Sequence, residues 1–334
     1  MTFQPKWYRN PQHRWYRIYQ DKQTIAHPPL KKWQSLGLYF PEGYPELWVD
    51  EKHPKTPIRA KDTEGRTQYQ YWPKTKEHNR RQHWRRFHEM GSVFWSRLLP
   101  LLKSPFPREN QQWADNDIYR LMLNFSLGCG IRPGYPKYRD QNQSFGVCTL
   151  EWQHIHPEPG WDNITSVDVR FPGKKQVINT CACDESNRGW EHDFISYLTW
   201  RRTLGETRRV DPVWLTGGGR EVHPDDLLEY LHEHVHPRIT VKDLRTWLVH
   251  RHAWDALQKV GNAKKLTEKE RKTEWRRVIK DIAEQTHHTP AVCQSSYLCP
   301  SFKEAWMNAT APFHGRSTSE ERWFRTWWAR DSRR

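Results

Sequence analysis

The stretch DNDIYRLMLNFSLGCG, residues 115–130, shows the clearest helical pattern in the chain. Four of its apolar side chains recur at intervals of three and four, which places them on one face of a helix. They are Ile118, Leu121, Met122 and Phe125. Acidic residues come before this face, as is common at a helix start, and glycines follow it. The pattern predicts a helix with one buried face that ends at these glycines.

Three short stretches after this helix predict β-strands. They are GVCTLEW at 146–152, SVDVRF at 166–171 and KQVINTC at 175–181. The Pro-Gly turn in FPGKK joins the last two, which indicates a β-hairpin. Beyond residue 190 the pattern is mostly helical. Pro224 opens one helix there, and a capping box in TVKD, residues 240–243, precedes another.

The first part of the chain has a different character. Residues 1–60 are rich in proline, tryptophan and charge, and RTQYQYW at 66–72 alternates like a half-buried strand. From about Lys74 to Lys103 the pattern becomes helical and basic. We therefore predict an α+β protein with a small, mainly β domain over residues 1–87. A larger, mostly α-helical domain with a small β-hairpin sheet would occupy residues 88–334.

The chain is strongly basic, with 54 Lys and Arg against 39 Asp and Glu, a formal charge of +15 and a pI near 9.6. Residues 1–90 hold 18 of the cations and 9 of the acids, so more than half of the excess lies there. Aromatic residues between these cations could stack on bases while the cations meet phosphates. A nucleic acid is thus the first candidate partner, and a solvated basic face over an aromatic core is the alternative.

Hydropathy and cysteine content indicate the kind of compartment in which the protein acts. The mean hydropathy is −1.03, and no apolar run approaches the roughly 18 residues of a membrane span, so we expect a soluble protein without an export signal. Six cysteines are too few and too scattered for a disulfide framework, and none forms a CxxC pair. This favours a reducing, intracellular setting and argues against a structural zinc site.

Five separated side chains have the chemistry that phosphodiester transfer needs. They are Arg132 in GIRPG, Lys174 in PGKK, Arg245 in KDLRTW, His288 in HHTP and Tyr297 in QSSYLC. Taken singly, such residues are more often surface cations, solvated turn lysines or polar surface histidines than catalytic groups. Their order and context along the chain give them weight.

Four longer segments extend the pattern, and three of them contain Arg132, Arg245, His288 and Tyr297. They are DTEGRTQYQYWP at 62–73, IRPGYPKYRDQNQSFGVCTLEWQHI at 131–155, ITVKDLRTW at 239–247 and HTPAVCQSSYLCP at 288–300. In this order they resemble the type IB DNA topoisomerase family of the poxvirus and bacterial type, over most of the chain. The resemblance implies the catalytic fold that this family shares with tyrosine recombinases. It also implies relaxation of supercoiled DNA through single-strand cleavage and a 3′-phosphotyrosyl intermediate, without ATP, a metal ion or another cofactor.

The five side chains suit this reaction. The attacked phosphate gains negative charge, which Arg132 and Arg245 could neutralise with their planar sets of N–H donors. His288 would donate a hydrogen bond to a nonbridging oxygen, and Tyr297 would be the nucleophile. Lys174 would protonate the departing 5′ oxygen, and only the match to the family's Gly-Lys turn selects it over the next lysine.

The resemblance also assigns DNA contacts and shows departures. The predicted contact residues are Gln68, Tyr69, Tyr71, Tyr138 and Lys242. Plain strand packing is the alternative for the tyrosines at 69 and 71. The chain departs from the family pattern at Pro133, Tyr135 and Gln294. These departures bear on rate and DNA affinity more than on reaction type.

Three other functions compete with this interpretation. HEHVH at 232–236 matches the HExxH zinc protease signature, although Pro237 would end its helix at once. A tyrosine recombinase would favour a histidine three residues before its second arginine, where this chain has Lys242. A basic DNA-binding module would bind without forming a covalent adduct.

We therefore predict a monomeric enzyme that closes around double-stranded DNA. It would act inside the cell. In a bacterium this means the cytoplasm and nucleoid, and for a viral protein the virion or the host cytoplasm.

Overall fold

A computed structural model describes residues 4–40, 43–63, 65–106, 112–187, 189–205 and 207–310, without the side chains of residues 92 and 175. The chain divides into two compact units, residues 1–86 and residues 87–334. The fold is α+β, as the sequence predicts. None of the described helices is both long and apolar enough to cross a membrane.

The first unit is built on a six-stranded antiparallel sheet. Its elements are β1 Trp7–Arg9, β2 Trp15–Tyr19, β3 Lys22–Ile25, α1 Leu30–Ser35, β4 Glu46–Val49, β5 Ile58–Lys61 and β6 Thr67–Gln70, with strand order β3-β2-β1-β4-β5-β6. Leu47 and Val49 alternate onto one face of the sheet, where the fully buried Trp33 of α1 packs against them. Trp7 joins this core with its ring 5.5 Å from that of Trp33. Some of the early aromatic residues are therefore core residues.

Strand β6 lies at the edge of this sheet and is more exposed than its sequence predicts. Thr67, Gln68 and Tyr69 are all exposed, so the expected half-buried strand is wrong in its burial. The turn before it is fixed by the Asp62 carboxylate, which accepts from the Arg66 backbone N–H at 2.9 Å and its Nε at 2.8 Å. An edge strand pairs on one side only, which leaves the other side open to a ligand.

The second unit is mostly helical. Helix α2, Pro73–Glu89, leads into it, and its elements are α3 Gly91–Val93, a π-helical turn Phe94–Leu98, α4 Leu99–Leu102, α5 Asp115–Gly128, α6 Pro136–Asn142, β7 Ile155–Glu158, β8 Ser166–Pro172, β9 Ile178–Asp184, α7 Trp190–Thr203, α8 Pro224–His234, α9 Val241–Val260, α10 Glu268–Gln285, α11 Pro290–Tyr297 and α12 Pro300–Met307. The predicted stripe on α5 is confirmed, because all four of its side chains are fully buried in the core.

The predicted β-hairpin is also confirmed. Strands β8 and β9 pair antiparallel from Ser166↔Asp184 to Pro172↔Ile178, and β7 completes a three-stranded sheet. The capping box of α9 is present as well, since the Thr240 N–H donates to Asp243 Oδ2 at 2.8 Å.

The strand predicted at 146–152 is wrong. The segment forms two 3₁₀ turns, Val147–Thr149 and Trp152–His154. Thr149 closes the first turn locally: its Oγ1 accepts from the Gly146 N–H at 2.9 Å, and its own N–H donates to the Gly146 carbonyl at 3.0 Å. Such local hydrogen bonds compete with strand pairing, and the alternation in the sequence did not reveal them.

Two of the six cysteines form a disulfide, which the sequence did not predict. Cys129, directly after α5, is bonded to Cys181 in β9, with 5.5 Å between their Cα atoms. One pair is not a disulfide framework. It nevertheless ties the end of the central helix to the small sheet.

Candidate active site

Tyr297 is the last residue of α11, a short helix that begins with Pro290. The Thr289 hydroxyl accepts a hydrogen bond from the Val292 N–H at 3.3 Å and caps the helix. The Tyr297 side chain is nearly buried, and its ring stacks on His288 with centroids 4.4 Å apart and planes 26° apart. This single helical segment folds the predicted nucleophile back onto the predicted histidine.

Arg245, on α9, is buried and held by the protein on three sides. Its Nη1 donates to the Gly130 carbonyl at 2.6 Å, and its Nη2 donates to the Thr286 carbonyl. We call these two carbonyls the carbonyl cradle. The Nε of Arg245 donates to His288 Nε2 at 2.9 Å. The guanidinium carbon then lies 5.7 Å from the centre of the Tyr297 ring.

The cradle depends on glycine at position 130. Gly130 has a φ of +62°, which side-chain-bearing residues rarely adopt. A Cβ at this position would lie 2.8 Å from the Gln285 carbonyl oxygen and 3.1 Å from the Thr286 Cα. The loop after α5 can therefore approach the end of α10 only without a side chain here.

Arg132 reaches the same histidine from the opposite side, with its Nη2 3.2 Å from His288 Nδ1. Its backbone is fixed by the turn at 147–149, because its carbonyl accepts from the Val147 N–H at 2.8 Å. Gly134 allows the close approach, since a Cβ there would lie 2.8 Å from the Gly146 Cα. The residues between α6 and β7 thus support the first of the two predicted catalytic arginines.

The electrostatics of this cluster favour an anion. Burial, followed by Arg245 and Arg132, lowers the pKa of His288 to about 2, so the ring is neutral at physiological pH. Burial and the neighbouring Arg132 lower the pKa of Arg245 to about 9, which leaves it charged at neutral pH. Across the described ranges, neither arginine pairs with a carboxylate.

The hydrogen bonds available to His288 also favour an anion at this site. A neutral imidazole has one N–H and one acceptor nitrogen, so it cannot accept from both guanidiniums. At one of the two contacts, therefore, the N–H group of the imidazole faces an N–H group of an arginine. An anionic oxygen between them would accept from both, which a phosphate can do.

Two further residues of α9 support the tyrosine. Lys242 is exposed, and its Nζ lies 5.9 Å from the centre of the Tyr297 ring. His250 accepts from the Cys299 N–H at 3.1 Å through Nε2, and its Nδ1 lies 2.8 Å from the Thr246 carbonyl. His250 therefore links the backbone just after Tyr297 to the helix that carries Arg245. His250 is not predicted from the sequence, where its only signal is its place on α9, the helix that carries Arg245.

Lys174 is the predicted catalytic residue that the structure does not bring to the others. It is exposed on the 3₁₀ turn Lys174–Gln176 between β8 and β9, and among the described residues no hydrogen bond or ion pair joins its side chain to any of the other four. The turn itself is anchored, because Gln176 Nε2 donates to the Asn142 carbonyl at 2.6 Å and the Phe145 N–H donates to the Pro172 carbonyl at 2.8 Å.

The predicted DNA-contact residues are exposed. On β6 and just after it, Tyr69 is 53% exposed and Tyr71 is 38% exposed, so neither is a core residue. Gln68 is exposed too and donates to Asp62 Oδ2 at 3.3 Å. Tyr138, on α6, is also exposed, with Lys137 Nζ 4.9 Å from the centre of its ring.

The departures from the family pattern have structural roles of their own. The Pro133 carbonyl accepts from the Cys148 N–H at 2.6 Å and extends the contact that supports Arg132. Tyr135 packs its ring 6.4 Å from that of Tyr138. Gln294 Oε1 accepts from Trp275 Nε1 at 2.8 Å, which fixes α11 against α10.

The HEHVH segment does not form a metal site in the described part of the chain. Helix α8 ends at His234, so His232 and His236 do not share a helical turn. His232 Nε2 lies 3.0 Å from the Ile239 carbonyl, and His236 Nδ1 accepts from the Arg238 N–H at 3.1 Å. Each contact engages one ring nitrogen of its histidine, and the two histidines do not form the i, i+4 pair on one helix that the zinc signature needs.

Comparison with known proteins identifies the family of this chain. Residues 118–308, more than half of the chain, match the family described as eukaryotic DNA topoisomerase I, catalytic core. DNA topoisomerase 1B of Acanthamoeba polyphaga mimivirus is 26% identical over 305 residues, which cover 88% of this chain and 84% of that protein. The matched family region contains all five predicted catalytic residues. The chain therefore belongs to the DNA topoisomerase I family, the type IB topoisomerases.

Proposed function

We propose that five residues carry out the topoisomerase reaction in this member of the family. Tyr297 is the nucleophile, Arg132, Arg245 and His288 bind the nonbridging oxygens of the attacked phosphate, and Lys174 is the general acid. The observation that carries this proposal is the stack of Tyr297 on a neutral His288 that sits between two arginines without carboxylate partners in the described residues.

The chemistry follows from this arrangement. The Tyr297 oxygen attacks phosphorus, the bond from phosphorus to the 5′ oxygen breaks, and the strand remains attached through a 3′-phosphotyrosyl bond. The phenol proton is lost to solvent, and Lys174 gives a proton to the departing 5′ oxygen. The reverse steps reseal the strand without ATP, because the covalent bond to Tyr297 keeps the energy of the phosphodiester.

We also propose that the first unit binds the duplex through the open edge of β6 and the residue that follows it. Gln68, Tyr69 and Tyr71 are exposed there, and residues 1–90 carry twice as many cations as acids. Tyr138 and Lys242 would add phosphate contacts from the second unit. A single copy of the chain would suffice, and action inside a cell remains a prediction from the sequence.

Trapping the covalent adduct tests the proposal directly. The full chain is mixed with duplex DNA labelled on the 5′ side of the cut strand, in EDTA and without ATP, and is denatured before electrophoresis. We expect the label to migrate with the protein, whereas a label on the 3′ side should be released with a 5′-hydroxyl end. An adduct on the 5′ phosphate would contradict the proposed polarity, and strand exchange between two duplexes would favour a recombinase.

Lys174→Ala should slow cleavage by roughly 10²- to 10⁴-fold, the usual contribution of a general acid. Single-turnover adduct formation measures this loss. A substrate with sulfur in place of the bridging 5′ oxygen should restore most of the rate, because a thiolate leaves without a proton. Lys175→Ala is the matched control and should cleave normally. If Lys175→Ala cleaved slowly and Lys174→Ala cleaved normally, Lys175 would be the general acid.

A further inference from the structure

The sulfur atoms of three cysteines lie within 4.8 Å of one another. Cys129 and Cys181 form the disulfide, while Cys183 is a free, buried thiol. Cys129 is 5% exposed, whereas Cys181 is half-buried. Cys181 is therefore the more exposed of the two bonded cysteines, and we expect a small thiol to attack on its side. None of these sulfurs takes part in the proposed reaction.

The disulfide is joined directly to the groups that hold the catalytic residues. The Cys129 carbonyl oxygen lies 3.2 Å from His287 Nε2, one residue before His288. The next carbonyl along the chain, that of Gly130, belongs to the carbonyl cradle of Arg245. The conformation of residues 129 and 130 thus bears on both Arg245 and His288.

The other end of the disulfide lies in the sheet that carries the general acid. Cys181 pairs with Val169 across β8 and β9, and the turn between these strands bears Lys174. The bond therefore fixes the loop under Arg245 to the base of the Lys174 hairpin. These two parts are 52 residues apart in the sequence, and the bond joins them covalently.

We propose that the Cys129–Cys181 disulfide is a redox site, that small thiols reduce it, and that its reduction slows DNA cleavage by loosening the carbonyl cradle. The consequence for cleavage rests on the proposed roles of Arg245 and His288. The reduction itself does not depend on them.

The chemistry is two successive thiol–disulfide exchanges. A thiolate attacks the Cys181 sulfur, the sulfur–sulfur bond breaks, and the Cys129 sulfur leaves and is protonated. A second small thiol attacks the mixed disulfide, which frees Cys181 and releases the oxidised small molecule. Two small thiols are oxidised and one protein disulfide is reduced. Burial, with smaller effects from Glu191 and Asp168, raises the pKa of Cys183 to about 12, so this thiol is a poor competitor.

The test compares the full chain after oxidation with diamide and after reduction with excess glutathione. Alkylation in denaturant followed by intact mass measurement should find 4 free thiols in the oxidised chain and all 6 after reduction. Single-turnover adduct formation should then be about tenfold slower in the reduced chain, because small displacements of positioned groups cost rate steeply. Reoxidation should restore the rate.

Two variants assign the effect to this bond. Cys129→Ser should cleave slowly and respond to neither reagent. It is preferred to a change at Cys181, because Cys183 lies close enough to replace Cys181 in a bond to Cys129. Cys183→Ala is the matched control from the same cluster and should respond like the unaltered chain. Since Cys129→Ser could fold poorly, the comparison of oxidised and reduced native chain decides the question without it.

The outcomes separate this inference from the proposed function. Six alkylated thiols after diamide treatment would overturn the redox site itself. Equal cleavage rates in the oxidised and reduced chain would overturn its effect on the active site. Failure of both forms to make any adduct would instead count against the proposed catalytic roles, while the thiol count would still report on the disulfide.

Discussion

Tyr297→Phe should abolish DNA relaxation and leave duplex binding nearly unchanged. The substitution removes only the oxygen that attacks phosphorus, and loss of an essential nucleophile costs on the order of 10⁴-fold or more. The ring stack on His288 should persist, because it involves the aromatic face and not the hydroxyl group. Relaxation of a supercoiled plasmid, adduct formation and a binding isotherm at fixed salt measure the three properties separately.

The matched control is Tyr119→Phe on α5. Tyr119 is half-buried with its ring 5.7 Å from that of Tyr230, so the substitution removes the same atom from a partly buried ring outside the proposed catalytic set. We expect it to relax DNA normally. If Tyr297→Phe relaxed plasmid at a measurable fraction of the normal rate, the nucleophile would have to be another residue.

The elements that the sequence predicts correctly are those set by local patterns. The buried stripe of α5 follows from helical periodicity, the β8–β9 hairpin from a Pro-Gly turn, and the start of α9 from a capping box. The strand predicted at 146–152 is wrong because the backbone of this segment is hydrogen-bonded to Thr149 and to the loop around Arg132. Neither contact can be read from an alternation of apolar and polar residues.

The proposed catalytic side chains could be named from sequence because a family resemblance points to their positions. The parts that orient them could not, because they are backbone groups brought together from distant segments. Gly130 and Thr286 contribute carbonyl oxygens, which no residue type encodes. The Cys129–Cys181 bond is equally non-local, since scattered cysteines in a sequence do not reveal which pair will meet.

Arg245→Lys should be almost as inactive as Arg245→Ala, although it keeps the positive charge. Arg245 donates in three directions, to the two cradle carbonyls and to His288, and a single ammonium group cannot reproduce that planar fork. We expect adduct formation to fall by roughly 10³- to 10⁵-fold in both variants, the usual contribution of an arginine that stabilises a phosphoryl transition state.

The same substitution should also lower stability, which distinguishes a cradled arginine from a surface one. Arg245→Ala leaves the Gly130 and Thr286 carbonyls without their donor, and each buried unsatisfied group costs about 1–3 kcal/mol. Urea unfolding should therefore show a clear loss for Ala and a smaller one for Lys. Lys259→Ala, an exposed cation on the same helix, should change neither stability nor cleavage. Rapid cleavage by Arg245→Lys would mean that charge alone, without the fixed geometry of the cradle, is enough to stabilise the attacked phosphate.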